Sequence, residues 1–311
     1  MAVNRVYSGQ ECVHESFLER PVTRRNFLGG LLRGAGVLAL SGSIGQVLDA
    51  CIGEKPDYTL ADVKAGIVSP KAYVKEVSSS IPEIQSMKKS GVLKDVLYDP
   101  FEQDLRQLLT GLFSTNNVDA GLLEAQMDVY REAASSDRGI ATVAPGMRQL
   151  FGKNVPVYMI FRPGFVDELE TDEEFRLTAL HELVHAEDIY NGVRVGKFHI
   201  RGIQPGIADE FVRNLAELRA THRVSALVYQ GYKATGKLPV TARYFLGELR
   251  NYSKHWEFLK NNTATTVEKE IAEAQLAEFS DMVPTALKGE GNPVRIDFRF
   301  GGEDSFVIKD R

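Results

Sequence analysis

Apolar residues recur along this chain with two periods, one typical of helices and one typical of strands. Helical spacing predicts helices over 101–113, 118–133, 207–229, 241–259 and 265–283. A capping box at Thr171–Glu174 predicts a further helix that runs to about Tyr190 and ends at Asn191-Gly192. Alternating or β-branched segments predict strands over 155–161, 294–300 and 305–308. The expected architecture is α+β and dominated by helices, with a small sheet ahead of the helix that starts near Thr171.

The segment 155–161 is the clearest predicted strand, and it contains Pro156 close to its start. Proline has no amide hydrogen to donate to an inner ladder, so its presence favours an edge position in the sheet. The sequence therefore predicts an edge strand here.

Residues 52–90 are polar and are interrupted by Lys-Pro, Ser-Pro and Ile-Pro pairs. Such breaks favour irregular structure over regular elements. We expect residues 52–95 to be a tether or a capping segment and residues 96–311 to form the main domain. The composition leaves open whether the segment only tethers the domain or covers its site as an inhibitory flap.

The first 51 residues contain the run Thr23-Arg24-Arg25-Asn26-Phe27-Leu28, followed by a glycine-rich, weakly apolar stretch. This arrangement resembles a bacterial twin-arginine export signal. The resemblance implies recognition by the twin-arginine export machinery and a location outside the cytoplasm, either periplasmic or anchored to the membrane. The alternative is a short buried helix of a cytoplasmic protein.

The end of this region, Leu48-Asp49-Ala50-Cys51, resembles a lipobox. The resemblance implies that Cys51 is lipidated, becomes the first mature residue and attaches the protein to a membrane. The alternative is a soluble exported protein that is cleaved nearby. The glycine and serine content of the preceding stretch argues against a membrane-spanning helix.

Charge and cysteine content exclude several kinds of partner and chemistry. With 37 Lys and Arg against 42 Asp and Glu, the formal net charge is −5, and no long basic run is present. Nucleic acid is therefore not an expected partner. The two cysteines are Cys12 and Cys51, so the chain after residue 51 has no disulfide, thiolate metal ligand or cysteine nucleophile.

The predicted helix after Thr171 carries the motif His181-Glu182-Leu183-Val184-His185. Residues four apart lie one above the other on a helix face, so both imidazoles can bind one metal ion. Glu182 lies roughly 100° around the helix from His181, so it would lie beside the ion without binding it. This spacing is typical of zinc-dependent hydrolases.

A third ligand is needed, and its identity decides the subtype. A metzincin would have glycine and histidine at the positions that Asp188 and Asn191 occupy, so that subtype is excluded. The expected ligand is Glu217, in the middle of the next predicted helix, with the small Ala220 one turn later to allow close helix packing. The rivals are Asp209, Glu210 and His199.

The run from His181 to Ala186 and the pair Glu217-x-x-Ala220 resemble the gluzincin metallopeptidases, over residues 155–230. The resemblance implies a Zn²⁺ ion held by His181, His185 and Glu217. It further implies that Glu182 takes the proton of a zinc-activated water that attacks a peptide carbonyl. A peptide or protein substrate would pair with the predicted edge strand.

Two supporting parts of the site remain open in the sequence. Thr221 stands where thermolysin-like enzymes have an aspartate that orients a histidine, so Asp188, Asp209 or backbone carbonyls are the alternatives for that role. The donors for the transition state are His222, Tyr229, Tyr232 or His255, with His222 and Tyr229 as the first candidates.

Two other functions compete with a peptidase. A di-iron centre in a helix bundle needs two Glu-x-x-His pairs, but besides 182–185 the spacing recurs only at 11–14, in the export segment. That function is excluded. The second is a non-catalytic exported lipoprotein whose zinc site only stabilises the fold. Glu182 favours catalysis, because a structural zinc site has no need of it.

Overall fold

The computed structural model describes residues 57–99, 103–115, 121, 123, 124, 127, 128, 141–144, 157–201, 204–289, 292–300 and 304–309. The twin-arginine run, Cys51 and most of the predicted helix over 118–133 lie outside these residues. The described part is a helix-dominated α+β structure.

The described helices are distributed along the chain, and the longest lie in its second half. They are α1 (Leu60–Lys64), α2 (Pro70–Ser80), α3 (Pro82–Ser90), α4 (Gln103–Thr115), α5 (Gly164–Glu168), α6 (Asp172–Asn191), α7 (Asp209–Thr235), α8 (Ala242–Asn261) and α9 (Thr266–Glu278). Within the described part of the chain, none of them combines the length and the apolar character that crossing a membrane requires.

In the described part of the chain, the strands form three small sheets. They are β1 (Leu93–Tyr98), β2 (Ala141–Ala144), β3 (Val157–Phe161), β4 (Val193–Val195), β5 (Phe198–Ile200), β6 (Met282–Gly289), β7 (Asn292–Phe300) and β8 (Asp304–Lys309). The sheet orders are β1-β3-β2, β4-β5 and β6-β7-β8.

The predicted edge strand is in fact the central strand of its sheet. β3 pairs in parallel with β1 and antiparallel with β2, so both of its edges are occupied. The amide of Val157 donates to the carbonyl of Val92, which means that the ladder begins immediately after Pro156 and needs no donor from it. The edge prediction is wrong, and so is the expectation that a peptide pairs with this strand.

Residues 57–98 differ from the irregular tether that the proline breaks suggested. Ser69 caps α2 with its side chain, and Pro70 and Pro82 each occupy the first turn of a helix, where proline is favoured. Leu60, Tyr73, Ile84 and Leu93 are almost completely buried in the main hydrophobic core. The segment is therefore part of the domain.

Helix α6 is held against the first sheet by aromatic packing. Phe161 of β3 stacks on Phe175 of α6 with ring centroids 4.3 Å apart, and Tyr73 meets Phe175 edge-on at 5.0 Å. The hydroxyl of Tyr73 also donates to the Asp172 carboxylate at 2.7 Å. These contacts fix the helix that carries both histidines.

Both ends of α6 follow the sequence signals, with one difference at each. Thr171 caps the helix by accepting from the Glu174 amide, but the Glu174 carboxylate accepts from the amides of Glu170 and Thr241 instead of completing a capping box. Gly192 ends the helix with φ +82°, and a Cβ there would lie 2.7 Å from the Ile200 carbonyl oxygen. A side chain at that position would clash with β5. That strand had not been predicted from the sequence.

The last predicted helix is shorter than expected. α9 ends at Glu278, and the chain continues as β6 from Met282, so Pro284 lies within a strand instead of ending a helix. β6 is an edge strand of the β6-β7-β8 sheet, a position where proline is tolerated. The two predicted C-terminal strands are confirmed as β7 and β8.

Candidate metal centre

Helix α6 brings the two histidines of the motif together, as their spacing predicts. The Nε2 atoms of His181 and His185 lie 3.1 Å apart, and their ring centroids are 4.9 Å apart. Both side chains are mostly buried. Two imidazole nitrogens therefore converge on one point beside the helix.

Helix α7 adds the predicted third group. One carboxylate oxygen of Glu217 lies 3.3 Å from His181 Nε2, and the other lies 3.5 Å from His185 Nε2. Within the residues that the structure describes, these three side chains form the one group of His, Cys, Asp or Glu whose ligand atoms all lie within 4.8 Å of one another. The buried Ala220, one turn beyond Glu217, leaves room for α6 and α7 to approach closely.

The members of the cluster differ in exposure. The Glu217 side chain is 34% exposed, whereas the His181 and His185 side chains are 15% and 14% exposed. Solvent therefore reaches the Glu217 side chain more than it reaches the two imidazoles.

The charges of the cluster favour bound cations. Burial raises the pKa of Glu217, but the two histidines outweigh it and hold the pKa below its ordinary value. Burial lowers the pKa of both histidines, but the Glu217 carboxylate raises each of them above its ordinary value, with Glu248 adding to the effect on His181. The same field that favours protons on these nitrogens favours a metal ion between them.

Glu182 is buried beside the cluster without belonging to it. Its side chain is almost inaccessible, and burial raises its pKa; the two histidines oppose this effect, while Glu217 and Glu248 add to it. A carboxylate with a raised pKa suits a group that accepts and returns a proton near neutral pH.

Helix α8 contributes Glu248, which the sequence did not assign to the centre, and His255, which was one of four candidates for a transition-state donor. Glu248 Oε2 lies 3.9 Å from His181 Nδ1, and His255 is electrostatically coupled to Glu217 and both histidines. Glu248 and His255 are seven residues apart, so they share one face of α8 with Tyr244. The shared face of α8 is the signal that could have revealed Glu248.

His255 is held in one tautomer. Its Nδ1 lies 2.8 Å from Asn214 Oδ1, and the Asn214 amide nitrogen donates to the Glu210 carbonyl, so Nδ1 must be the donor to Oδ1. Burial lowers the pKa of His255 to about 4. Lys254 and the two metal-site histidines also lower this pKa, whereas Glu217 raises it. At neutral pH the ring is uncharged and its Nε2 is an acceptor, which does not suit the role of transition-state donor.

The two first candidates for that role have other partners. His222 Nε2 lies 3.2 Å from the Asp281 carboxylate, and its ring stacks on Phe279 at 3.8 Å. The Tyr229 hydroxyl donates to the Phe300 carbonyl at 3.4 Å. Tyr229 is also about 18 Å along α7 from Glu217, from the rise of 1.5 Å per residue. The structure does not bring these two side chains to the cluster.

Asp188 and Asp209 do not orient a histidine. The Asp188 carboxylate accepts two hydrogen bonds from Arg219, at 3.0 and 3.2 Å, and is therefore already paired. Asp209 is exposed in the first turn of α7.

The rival metal ligands also lie outside the cluster. Glu210 is exposed in the first turn of α7. His199 lies on β5, where its Nε2 is 2.8 Å from the Asn191 carbonyl oxygen.

Comparison of the chain with protein-family models, with curated proteins and with solved structures finds no match. The function is therefore argued from the geometry of the centre.

Proposed function

We propose that this protein is a zinc-dependent hydrolase, a peptidase with a zincin-like site, in which His181, His185 and Glu217 hold one Zn²⁺ ion. The observation that carries the proposal is the spacing of the three ligand groups. Tetrahedral ligands at about 2.0–2.1 Å from zinc lie about 3.3–3.4 Å from one another. Here the two imidazole nitrogens are 3.1 Å apart, and each lies near a different Glu217 oxygen, at 3.3 Å for His181 and 3.5 Å for His185, so one ligand atom from each residue falls within 4.8 Å of the others.

The donor set agrees with this assignment. Two imidazoles and one carboxylate are the protein ligands of catalytic zinc in several hydrolases, whereas magnesium and calcium prefer oxygen ligands alone. The same set also occurs at non-haem iron, so the metal itself has to be measured.

Two features favour a catalytic site over a structural one. Structural zinc sites are closed by four protein ligands, whereas here three groups converge and the Glu217 side is accessible. Glu182 is a buried carboxylate beside the centre that a structural site would not require.

The roles of the residues follow from their positions. A bound zinc ion supplies Lewis acidity, which activates water and polarises a carbonyl. Glu182 accepts the proton of the attacking water and passes it to the leaving amine. The amide as substrate rests on the resemblance of residues 181–186 and 217–220 to gluzincin peptidases.

We further propose that the protein is exported and, through Cys51, attached to a membrane. The support is the sequence around Arg24-Arg25 and Cys51. Twin-arginine export moves folded proteins, so the metal would be loaded in the cytoplasm, where its supply is controlled.

The test is Glu182→Gln in the full chain, with hydrolysis of a complex peptide mixture followed by mass spectrometry. We expect unchanged zinc content and a loss of at least about 10²-fold in rate, because the proton acceptor is removed while the ligands stay. Glu187→Gln, an exposed position on the same helix, is the matched control and keeps full activity.

Equal hydrolysis by wild type and Glu182→Gln would contradict the peptidase mechanism. A wild type that holds zinc but cleaves no peptide would point to the structural zinc site, and iron in place of zinc would overturn the metal assignment.

A further inference from the structure

Glu248 is a buried carboxylate with an oxygen that no described group satisfies. Its side chain is 15% exposed, and Oε2 is fully buried without a hydrogen-bond partner among the described residues. Burying an unpaired carboxylate oxygen is costly, and the cost is removed when a donor is supplied.

His181 Nδ1 is the group that faces this oxygen, at 3.9 Å. The Nε2 atom of the same ring faces His185 and Glu217. Glu217 and Glu248 therefore contact different nitrogens of one imidazole, one on the metal side and one on the far side.

We propose that Glu248 is a positioning residue for the metal centre: it accepts a hydrogen bond from Nδ1–H of His181 and so holds the ring with Nε2 directed at the metal. A neutral histidine that binds metal through Nε2 carries its proton on Nδ1, and that proton needs an acceptor. A carboxylate in this place fixes the tautomer and raises the basicity of the ligand. The proposal rests on the metal site proposed above.

Other acceptors for this proton are absent among the described contacts of the site. Thr221, at the position where an aspartate would serve, donates its hydroxyl to the Glu217 carbonyl at 2.7 Å. Asp188 is paired with Arg219. The carboxylate that α7 lacks is thus supplied by α8.

Contacts on both sides of Glu248 hold α8 in place. One turn earlier, the Tyr244 hydroxyl lies 3.3 Å from Thr178 Oγ1 on α6. Two turns later, His255 is bonded to Asn214 on α7. The gap of 3.9 Å is about 1 Å longer than a hydrogen bond, a distance that a carboxylate rotamer can close.

The first experiment measures zinc affinity of the full chain by competition with a chromogenic chelator at neutral pH. Glu248→Gln keeps the size of the side chain and removes its charge, and we expect zinc to bind about 10- to 100-fold more weakly. Glu257→Gln is the matched control on the same helix, because Glu257 accepts from Asn261 instead of a histidine. It should bind zinc within about twofold of wild type.

A second measurement separates positioning from general destabilisation. In zinc-loaded wild type with ¹⁵N-labelled histidine, the His181 ring should show a slowly exchanging Nδ1 proton and a metal-bound Nε2. In Glu248→Gln this proton should shift and exchange faster, while far-UV circular dichroism stays unchanged. Glu248→Asp, which keeps the charge, should recover part of the affinity.

The outcomes distinguish this inference from the proposed function. Tight zinc binding by wild type and equally tight binding by Glu248→Gln, with an unchanged His181 signal, would overturn the positioning role and leave the metal site intact. A His181 ring that is bound through Nδ1 would also overturn it. A wild type that binds no zinc would overturn both.

Discussion

At the scale of single residues, short-range geometry made the metal ligands predictable. His181 and His185 are four apart on one helix, so their convergence follows from helix geometry once the helix is recognised. Glu217 could be predicted on the single further assumption that the next helix packs beside the helix that carries the histidines. Glu248 was not assigned, and His255 was one of four donor candidates, because the rotation of α8 against two other helices decides which of its faces meets the centre.

His255 illustrates how one amide decides the chemistry of a histidine. Because the Asn214 side chain is held by the Glu210 carbonyl, His255 is a neutral donor through Nδ1. Burial keeps its pKa at about 4, below the ordinary value of 6.5, so the unfolded chain takes up this proton first as the pH falls. The contribution of His255 to stability is therefore intact above pH 6.5 and declines as the pH falls towards 4.

We predict that His255→Asn, which keeps a donor for Asn214, reduces the pH dependence of stability. In wild type the lowered pKa removes at most about 2 kcal/mol between pH 6.5 and 5, and less to the extent that solvent screens this partly exposed ring. Urea unfolding at pH 7 and pH 5, with a chelator present and circular dichroism as the probe, measures the difference. An equal loss of stability in both proteins would refute the pKa assignment.

At the scale of elements, the packing of α6 against α7 sets the geometry of the centre. The Arg219 guanidinium on α7 holds the buried Asp188 carboxylate of α6, and it also donates to the Arg194 carbonyl and to Gln275 of α9. One side chain thus connects the metal-binding helices with the β4–β5 hairpin and α9. The error over β3 arose at this scale too, since its central position depends on β1 and β2, and neither strand was predicted.

Arg219→Met is expected to lower the free energy of unfolding by about 3–5 kcal/mol. The reason is that Asp188, whose side chain is 6% exposed, would be left as an unpaired buried charge. Chemical denaturation of the variant measures the loss, and Arg223→Met, at an exposed position on the same helix, is the control. A loss below 1 kcal/mol in Arg219→Met would show that the Asp188–Arg219 pair does not hold the two helices.

At the scale of the whole molecule, residues 57–98 belong to the core that supports the centre. β1 lies beside β3, and α2 and α3 contribute Tyr73 and Ile84 to the aromatic and aliphatic packing under α6. The polar composition and the Ser-Pro and Ile-Pro pairs suggested otherwise, because the same pairs mark both loops and helix starts. Burial of the intervening apolar residues distinguishes the two, and it depends on tertiary contacts.

Leu93→Ala tests whether this segment is integral to the domain. Leu93 is 1% exposed in β1, so the cavity should cost about 2–5 kcal/mol of unfolding free energy. The single tryptophan, Trp256, lies far along the chain on α8, and its fluorescence should report the lower midpoint. Lys94→Ala, at the exposed neighbouring position, should leave the midpoint almost unchanged. An unshifted Trp256 transition in Leu93→Ala would mean that residues 57–98 act as a separate tether.

The central claim, a His181–His185–Glu217 metal site, is tested most directly by elemental analysis of the purified, metal-supplemented full chain. Wild type and Glu217→Ala are compared, with Glu210→Ala as the control for an exposed glutamate on the same helix. We predict about one zinc ion per chain in wild type and in Glu210→Ala, and a large loss in Glu217→Ala. A folded wild type without zinc, or a Glu217→Ala variant that keeps its full complement, would contradict the account.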